Sequence, residues 1–159
     1  MDELMYNRIL VPLEHTDTDA AIIDHVHKLA RVSGGSVLLI HVADGFAARN
    51  ANQLGLRESQ EMRDDRVYLE DVCEKFEADG IEAECILAGG DPAKEIASAA
   101  EREQCDLIAM STHGHRFIKD VIYGSVANEV RHLSRVPVLL VRGDREPPGR
   151  ISTPGLKAT

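Results

Sequence analysis

Two short segments, separated by nine residues, contain the groups best suited to chemistry in this sequence. The first is Ser111-Thr-His-Gly114, and the second is Gly124-Ser125, which opens a predicted helix. Glycine lets the main chain approach a ligand closely, and the free amides and dipole of a helix N-terminus favour an anion. Ser125 can cap its helix and also offer a hydroxyl to a phosphate oxygen. These residues therefore indicate either an anion cradle or an ordinary capped helix start.

Histidines near the same segments raise the alternative of a metal site. His113 and His115 flank Gly114, while His15 and His41 are expected at the same edge of the predicted sheet. Imidazoles at converging strand ends can bind zinc. We expect no carboxylate or cysteine to complete a tetrahedral set, so we predict hydrogen bonds or ligand contacts for these histidines. A divalent ion would more naturally be held by the phosphates of a ligand.

No residue is predicted to be catalytic. The sequence has neither a GxxxxGK[ST] motif nor a GxGxxG after the first strand, which disfavours P-loop NTPases and dinucleotide dehydrogenases. Arg116 and Lys119 could reach a terminal phosphate, although a solvated position suits them equally well. No base is evident for aligning water, and no cysteine has a neighbouring His/Asn pair. We therefore predict binding, with slow turnover at most.

Strands and helices are predicted to alternate along the chain. Apolar runs predict strands at Arg8 to Leu13, Ser36 to Val42, Asp106 to Ser111 and Val136 to Val141, and alternation predicts another at Ile81 to Leu87. This order favours right-handed βαβ crossovers, and hence an α/β fold with a parallel, doubly wound sheet. Sites in such sheets lie beyond the carboxyl ends of the strands, where the strand order reverses.

The helices between these strands have recognisable ends. Gly34-Gly35 is placed to terminate the first helix, and Gly80 follows the second, whose apolar stripe includes Met62, Leu69 and Phe76. A turn at Gly89-Gly-Asp-Pro92 is predicted to lead into the third helix, with Asp91 as its N-cap. The polar stretch from Asp44 to about Ser59 is predicted to be a long loop.

Composition limits the class of protein. The chain has 159 residues, 43% of them hydrophobic and 28% charged, with a net charge of -9. One domain over residues 1–143 is expected, followed by a disordered tail over 144–159. The negative charge disfavours nucleic acid and anionic membranes, and no apolar run is long enough to span a bilayer. Cys73, Cys85 and Cys105, together with the acidic N-terminus, favour a cytoplasmic protein with reduced thiols.

The chain from about Tyr6 to Arg142 resembles the universal stress protein family. The resemblance rests on the opening Arg8-Ile-Leu-Val-Pro-Leu-Glu14, on Leu39-Ile-His-Val42, on Gly124-Ser-Val-Ala-Asn-Glu-Val130 and on Pro137-Val-Leu-Leu-Val141. The nucleotide-binding branch has a G-x2-G-x9-G-(S/T) motif, which here begins at Ser111. The family implies a Rossmann-like sheet of five strands in the order 3-2-1-4-5 and a homodimer. Its nucleotide-binding branch holds ATP, often with Mg²⁺ or Mn²⁺.

The resemblance also implies roles for particular residues. It places the ribose-contacting acid at Glu14, the adenine against Val42, and the phosphates over Gly114, Gly124 and Ser125. The cofactor-binding residues expected on this basis are Pro12, Leu13, Glu14, Val42, Met110, Ser111, His113, Gly114, His115, Gly124, Ser125 and Val126.

Two residues depart from the family pattern. Ser111 occupies the place of the first motif glycine, and Glu14 that of an aspartate. The serine adds a Cβ where the backbone approaches the ligand, and the glutamate extends the carboxylate by one methylene. Both bear on the affinity for nucleotide rather than on the presence of a site.

The last predicted strand, Val136 to Val141, occupies the sheet edge in the family's strand order. An apolar edge favours pairing with a second copy of the chain, which would give a two-fold dimer. The leading hypothesis is a cytoplasmic, dimeric, ATP-binding stress-response module. The alternatives are a nucleotide-free stress protein that acts through protein partners and a slow ATPase or phosphotransferase.

Overall fold

The computed structural model describes residues 5–44, 60–112 and 125–143. The elements of this part of the chain are β1 (Arg8–Pro12), α1 (Asp19–Ser33), β2 (Ser36–Asp44), α2 (Gln60–Ala78), β3 (Ala83–Gly90), α3 (Pro92–Arg102), β4 (Leu107–Thr112), α4 (Ser125–Leu133) and β5 (Val138–Arg142). All strand pairs among them are parallel, and the order across the sheet is β3-β2-β1-β4-β5. This result confirms the predicted fold class and strand order.

An apolar layer covers each face of the sheet. Ile9 and Leu39 pack with residues of α1 and α2, among them the fully buried Phe76. On the other face, Leu38 and Ile108 pack with residues of α3 and α4. Because helices cover both faces, consecutive residues of the central strands are buried, which accounts for their continuous apolar runs.

The predicted helix signals at Gly34 and Asp91 are confirmed. Gly34 has a φ of 74°, and its N–H donates to the Ala30 carbonyl over 2.8 Å, which ends α1. Asp91 accepts a hydrogen bond from the Lys94 amide over 3.0 Å, and Pro92 is the first residue of α3. Left-handed glycine and a capping carboxylate each satisfy main-chain groups that have no partner within the helix.

The carboxyl ends of β2 and β3 extend further than predicted. The turn predicted at Gly89 and Gly90 and the loop start predicted at Asp44 are both wrong, since Ala43 pairs with Gly89 and Asp44 with Gly90. The strand predicted at Ile81 to Leu87 therefore continues to residue 90. Glycine is disfavoured in strands, but the neighbouring strand β2 offers main-chain hydrogen bonds to Gly89 and Gly90.

The edge strand β5 begins at Val138 rather than at the predicted Val136. The Val136 amide donates to the Ser134 hydroxyl over 3.1 Å, so it completes the turn that follows α4. Pro137 has no N–H to give to a sheet, although its carbonyl accepts from Ile108 over 2.9 Å. Regular pairing with β4 starts one residue later.

The amino ends of the strands are held together by charged side chains. The Asp106 carboxylate, just before β4, accepts hydrogen bonds from the amides of Asn7 over 2.7 Å and Arg8 over 3.0 Å. The Arg8 guanidinium donates to Glu84 of β3 over 2.9 Å, and this bond raises the pKa of Arg8. These contacts lie at the end of the sheet opposite to the expected site.

The predicted loop over residues 45–59 and the predicted tail over residues 144–159 lie outside the described residues. No helix in the described ranges is both long and apolar enough to cross a membrane.

Candidate functional site

A cavity of about 250 Å³ opens at the carboxyl ends of β1, β2 and β4. The strand order reverses between β1 and β4, so the cavity lies where doubly wound folds bind ligands. Its volume is slightly below the usual range of small-molecule pockets, which is roughly 300–1,000 Å³. The lining residues are Pro12, Leu13, Glu14, Ile40, His41, Val42, Pro92, Ile96, Met110, Ser111 and Val126.

The β2 side of the cavity arises from the unequal lengths of β1 and β2. β1 ends at Pro12, which pairs with Ile40, and the Leu13 amide then donates to the Ile40 carbonyl over 2.8 Å. β2 continues beyond this point, so Val42 lies past its last register pair with β1. The main chain of Val42 can therefore offer hydrogen bonds to a ligand on that side.

The β4 side of the cavity provides an apolar surface and one hydroxyl. β1 and β4 share two register pairs, the last being Leu10 with Ile108, and Met110 and Ser111 follow along β4. Met110 is buried, whereas Ser111 is half-buried. The flat rings and carbons of a heterocyclic base would pack well against such a surface.

The N-terminus of α4 approaches the cavity from a third direction. Ser125 is the first helical residue, and Val126 lines the cavity. Ser125 was predicted to cap the helix, but it lies one position inside it, and the position before it is outside the described residues. The first-turn amides and the dipole of a nine-residue helix attract a negative group.

Glu14 belongs to a tightly bonded loop between β1 and α1. A single buried carboxylate, Asp19, accepts from the amides of Glu14 over 3.0 Å and His15 over 2.8 Å, and from the Tyr68 hydroxyl over 2.7 Å. Burial and the bond to Asp19 raise the pKa of Tyr68, so its hydroxyl keeps the proton that it donates. Asp19 was not predicted to be functional, although an acid at a helix start is a capping signal that could have indicated it.

His15 and His41 make hydrogen bonds, which is the role predicted for the histidines near the site. A carboxylate that the sequence analysis did not single out, that of Asp65 on α2, lies between their rings. Its Oδ1 is 2.8 Å from His15 Nδ1, and its Oδ2 is 3.2 Å from His41 Nε2. Asp65 is buried on the same face of α2 as Leu69, four residues later. A carboxylate on the apolar face of a helix indicates a buried polar partner, although it does not identify that partner. Within the described ranges, no group of three potential ligands is arranged for a metal ion.

The predicted site residues are partly brought together. Pro12, Leu13, Glu14, Val42, Met110, Ser111 and Val126 line the cavity, and Ser125 is adjacent to Val126. His113, Gly114, His115 and Gly124, with Arg116 and Lys119, lie outside the described residues. Four further residues that line the cavity were not among the predicted cofactor-binding residues: Ile40, His41, Pro92 and Ile96.

The three cysteines lie away from this cavity. Cys73 and Cys105 are buried as expected, and Cys85 is half-buried. Burial raises the pKa of Cys73 to about 12 and also raises the pKa of Cys105, despite the opposing charge of Arg8. The pKa of Cys85 is raised by burial as well. Thiols of this kind remain protonated near neutral pH and are poor nucleophiles.

The sheet, its helices and the cavity at the point of strand reversal define a doubly wound α/β protein with a ligand-sized site. The model of the universal stress protein family matches residues 5–142. The chain therefore belongs to the universal stress protein family, as the resemblance of its motifs predicted.

Relatives are similar over nearly the whole chain. The universal stress protein YxiE of Bacillus subtilis is 30% identical, with 87% of this chain and 100% of that protein covered. The structure of MJ0577 from Methanocaldococcus jannaschii is 28% identical, has a TM-score of 0.74 and covers 90% of this chain and 99% of its own. A universal stress protein from Archaeoglobus fulgidus, solved in complex with dAMP, is 18% identical and has a TM-score of 0.62. The match covers 87% of this chain and 98% of that one.

Proposed function

We propose that this protein binds ATP in the cavity at the carboxyl ends of β1, β2 and β4, as a member of the nucleotide-binding branch of its family. The cavity carries the proposal, because it combines an apolar slot, an acidic side chain and a helix N-terminus. The dAMP complex of the Archaeoglobus fulgidus relative supports an adenine nucleotide as the class of ligand.

The described residues suit the parts of a nucleotide. Ile40, Val42 and Met110 offer apolar surface to the base, and Glu14 offers a carboxylate to the ribose hydroxyls. A volume of about 250 Å³ suits a base and a sugar, so the phosphates would extend towards the start of α4 and Ser125. Mg²⁺ or Mn²⁺ would then be held through the phosphate oxygens.

Ser111 is compatible with this proposal. It lies within β4 and pairs with Val141, so its backbone has the extended conformation that any residue adopts. Glycine is required where φ is positive or where a Cβ would collide with its surroundings. The serine side chain is half-buried and its hydroxyl can donate to a ligand oxygen. We therefore expect Ser111→Gly to change the affinity for ATP by less than about tenfold, or 1.4 kcal/mol.

Calorimetry tests the proposal directly. The purified protein, first checked by mass spectrometry for co-purified nucleotide, is titrated with ATP in the presence of Mg²⁺ or Mn²⁺. We expect micromolar binding that is lost in Gly114→Val and weakened in Ser125→Ala. Ser98→Ala, an exposed position on α3, is the matched control and should bind like the natural sequence. The absence of heat and of co-purified nucleotide would refute ATP binding and favour a protein that acts through other partners.

The same preparation separates a binding protein from an enzyme. We propose that nucleotide state, rather than turnover, is the functional output of this cytoplasmic stress-response module. After incubation with ATP and Mn²⁺, release of ADP or AMP should not exceed that of the Gly124→Val variant. Release well above that control would instead identify a slow ATPase or phosphotransferase.

We further propose that β5 forms a homodimer with its two-fold copy. β5 is at the sheet edge, where it pairs with β4 alone among the described strands, and Leu140 on it is 44% exposed. Leu140→Lys would place two cations near the two-fold axis and should give monomers in light scattering. Val32→Lys, at an 88% exposed position on α1, is the control and should leave the dimer intact. A monomeric natural sequence, or a dimeric Leu140→Lys variant, would contradict this interface.

A further inference from the structure

Helix α2 contacts the loop that carries Glu14 through two residues on one of its faces. Asp65 and Tyr68 are three residues apart, so both side chains project from the same side of the helix. Asp65 is bonded to His15 over 2.8 Å, and the Tyr68 hydroxyl donates to Asp19 over 2.7 Å. The beginning of α2 is therefore attached to the β1–α1 loop by polar contacts, in addition to its apolar packing on the sheet.

His41 extends these contacts to the residue just before Glu14. Its Nδ1 is 2.8 Å from the Leu13 carbonyl oxygen, and because a carbonyl can only accept, Nδ1 is the donor. The other ring nitrogen lies 3.2 Å from Asp65 Oδ2. The side chains of His41 and Asp65 are 13% and 10% exposed, so water competes little for these contacts. The ring of His41 thus lies between the Asp65 carboxylate and the Leu13 carbonyl.

The residue after Glu14 is restrained as well. His15 has a φ of 61°, a conformation that side-chain-bearing residues rarely adopt. Its ring stacks on Tyr68 with centroids 4.1 Å apart, and its amide donates to Asp19 over 2.8 Å. The main chain is therefore fixed on both sides of Glu14. These restraints come from the face of the sheet opposite to the core formed with α3 and α4, since His41 alternates with Ile40 along β2.

We propose that Asp65 and Tyr68 are positioning residues that set the recognition of the ribose by Glu14. This inference rests on the proposed ATP site and adds α2 to the elements that determine its affinity. Neither residue lines the cavity. Their effect is transmitted through His41 and Leu13 on one side and through Asp19 and His15 on the other.

The test compares ATP with 2′,3′-dideoxy-ATP, which lacks both ribose hydroxyls, by calorimetry. Asp65→Asn keeps the shape of the side chain but removes its charge, and we expect about tenfold weaker binding of ATP with unchanged binding of the dideoxy compound. Asp64→Asn is the matched control, because Asp64 is exposed and bonds only to Gln60 among the contacts that the structure shows for it. It should bind both ligands like the natural sequence.

Tyr68→Phe provides a second variant if Asp65→Asn folds poorly. It keeps the ring that stacks on His15 and removes only the hydroxyl that donates to Asp19. We expect the affinity for ATP to fall about three- to tenfold, again without a change in the affinity for dideoxy-ATP. Thermal melts of each variant establish the temperature at which the titrations compare folded proteins.

Each outcome has a defined meaning. If the natural sequence binds neither ligand, the proposed function fails and the inference fails with it. If it binds both equally, Glu14 does not recognise the ribose, and the inference alone is overturned. An equal loss of both ligands in Asp65→Asn would show a general structural role and would also overturn it. In a double-mutant cycle, Asp65→Asn should cost little further affinity once Glu14→Gln is present.

Discussion

Asp19 should be one of the most sensitive polar positions in the protein. It is 2% exposed and accepts hydrogen bonds from the amides of Glu14, His15 and Thr16 and from the Tyr68 hydroxyl, over 3.0, 2.8, 3.4 and 2.7 Å. Hydrogen bonds to a charged group contribute about 1.5–3 kcal/mol each, but those made within one loop are not additive. We therefore expect Asp19→Asn to lower the free energy of unfolding by about 3 kcal/mol.

Thermal and urea unfolding, followed by circular dichroism, measure this loss. For a chain of this size, 1 kcal/mol corresponds to about 2–4 °C, so the midpoint should fall by about 10 °C. Asp17→Asn makes the same chemical change at an exposed position of the same loop, and it should alter stability by no more than about 0.5 kcal/mol. If the two variants differ by less than about 1 kcal/mol, the buried carboxylate does not organise the loop as described.

Three further predictions concern reactivity and backbone geometry. Burial raises the pKa of Cys73 to about 12, so iodoacetamide at pH 8 should label this thiol in urea but hardly in the folded protein, as measured by mass spectrometry. Rapid labelling of the folded protein would show that Cys73 is not buried in this way. Gly34→Ala should lower the free energy of unfolding, measured in urea, by about 1 kcal/mol, because Gly34 has a φ of 74°. Gly35→Ala should lower it several times more, because the new Cβ would clash with the Tyr6 carbonyl oxygen. Equal losses in the two variants would contradict this geometry. Asp91→Ala should lower stability by about 1 kcal/mol through loss of the α3 cap, and an unchanged melting curve would exclude that role.

The elements of the fold could be predicted because their signals are local. The run Ser36 to Val42 is apolar since both faces of β2 are covered, and Gly34 and Asp91 act within one helical turn of their positions. The extension of β2 to Asp44 could not be predicted, because the residues that pair with it are glycines of β3. Strand pairing can thus override the low intrinsic preference of glycine for the β conformation.

The site was predictable only in part. Glu14 and Ser111 follow from the rule that sites form at the carboxyl ends of parallel strands, whereas the role of Glu14 at the ribose came from the family resemblance. Asp65 could not be placed in the same way, since it contacts His15 fifty residues away in the chain. Such a contact depends on how α2 lies across the sheet, which no local pattern encodes.

Different residues stabilise the sheet and form the cavity, and they lie at opposite ends of the strands. At the amino ends, Asp106 fastens the start of β1 to the start of β4, and Arg8 links β1 to β3. At the carboxyl ends, β1 stops early and leaves space for the cavity. Residues that line the cavity can therefore be exchanged in the course of evolution without loss of the contacts that fasten the sheet. One scaffold can in this way acquire new ligand preferences by point substitutions among the residues that line the cavity.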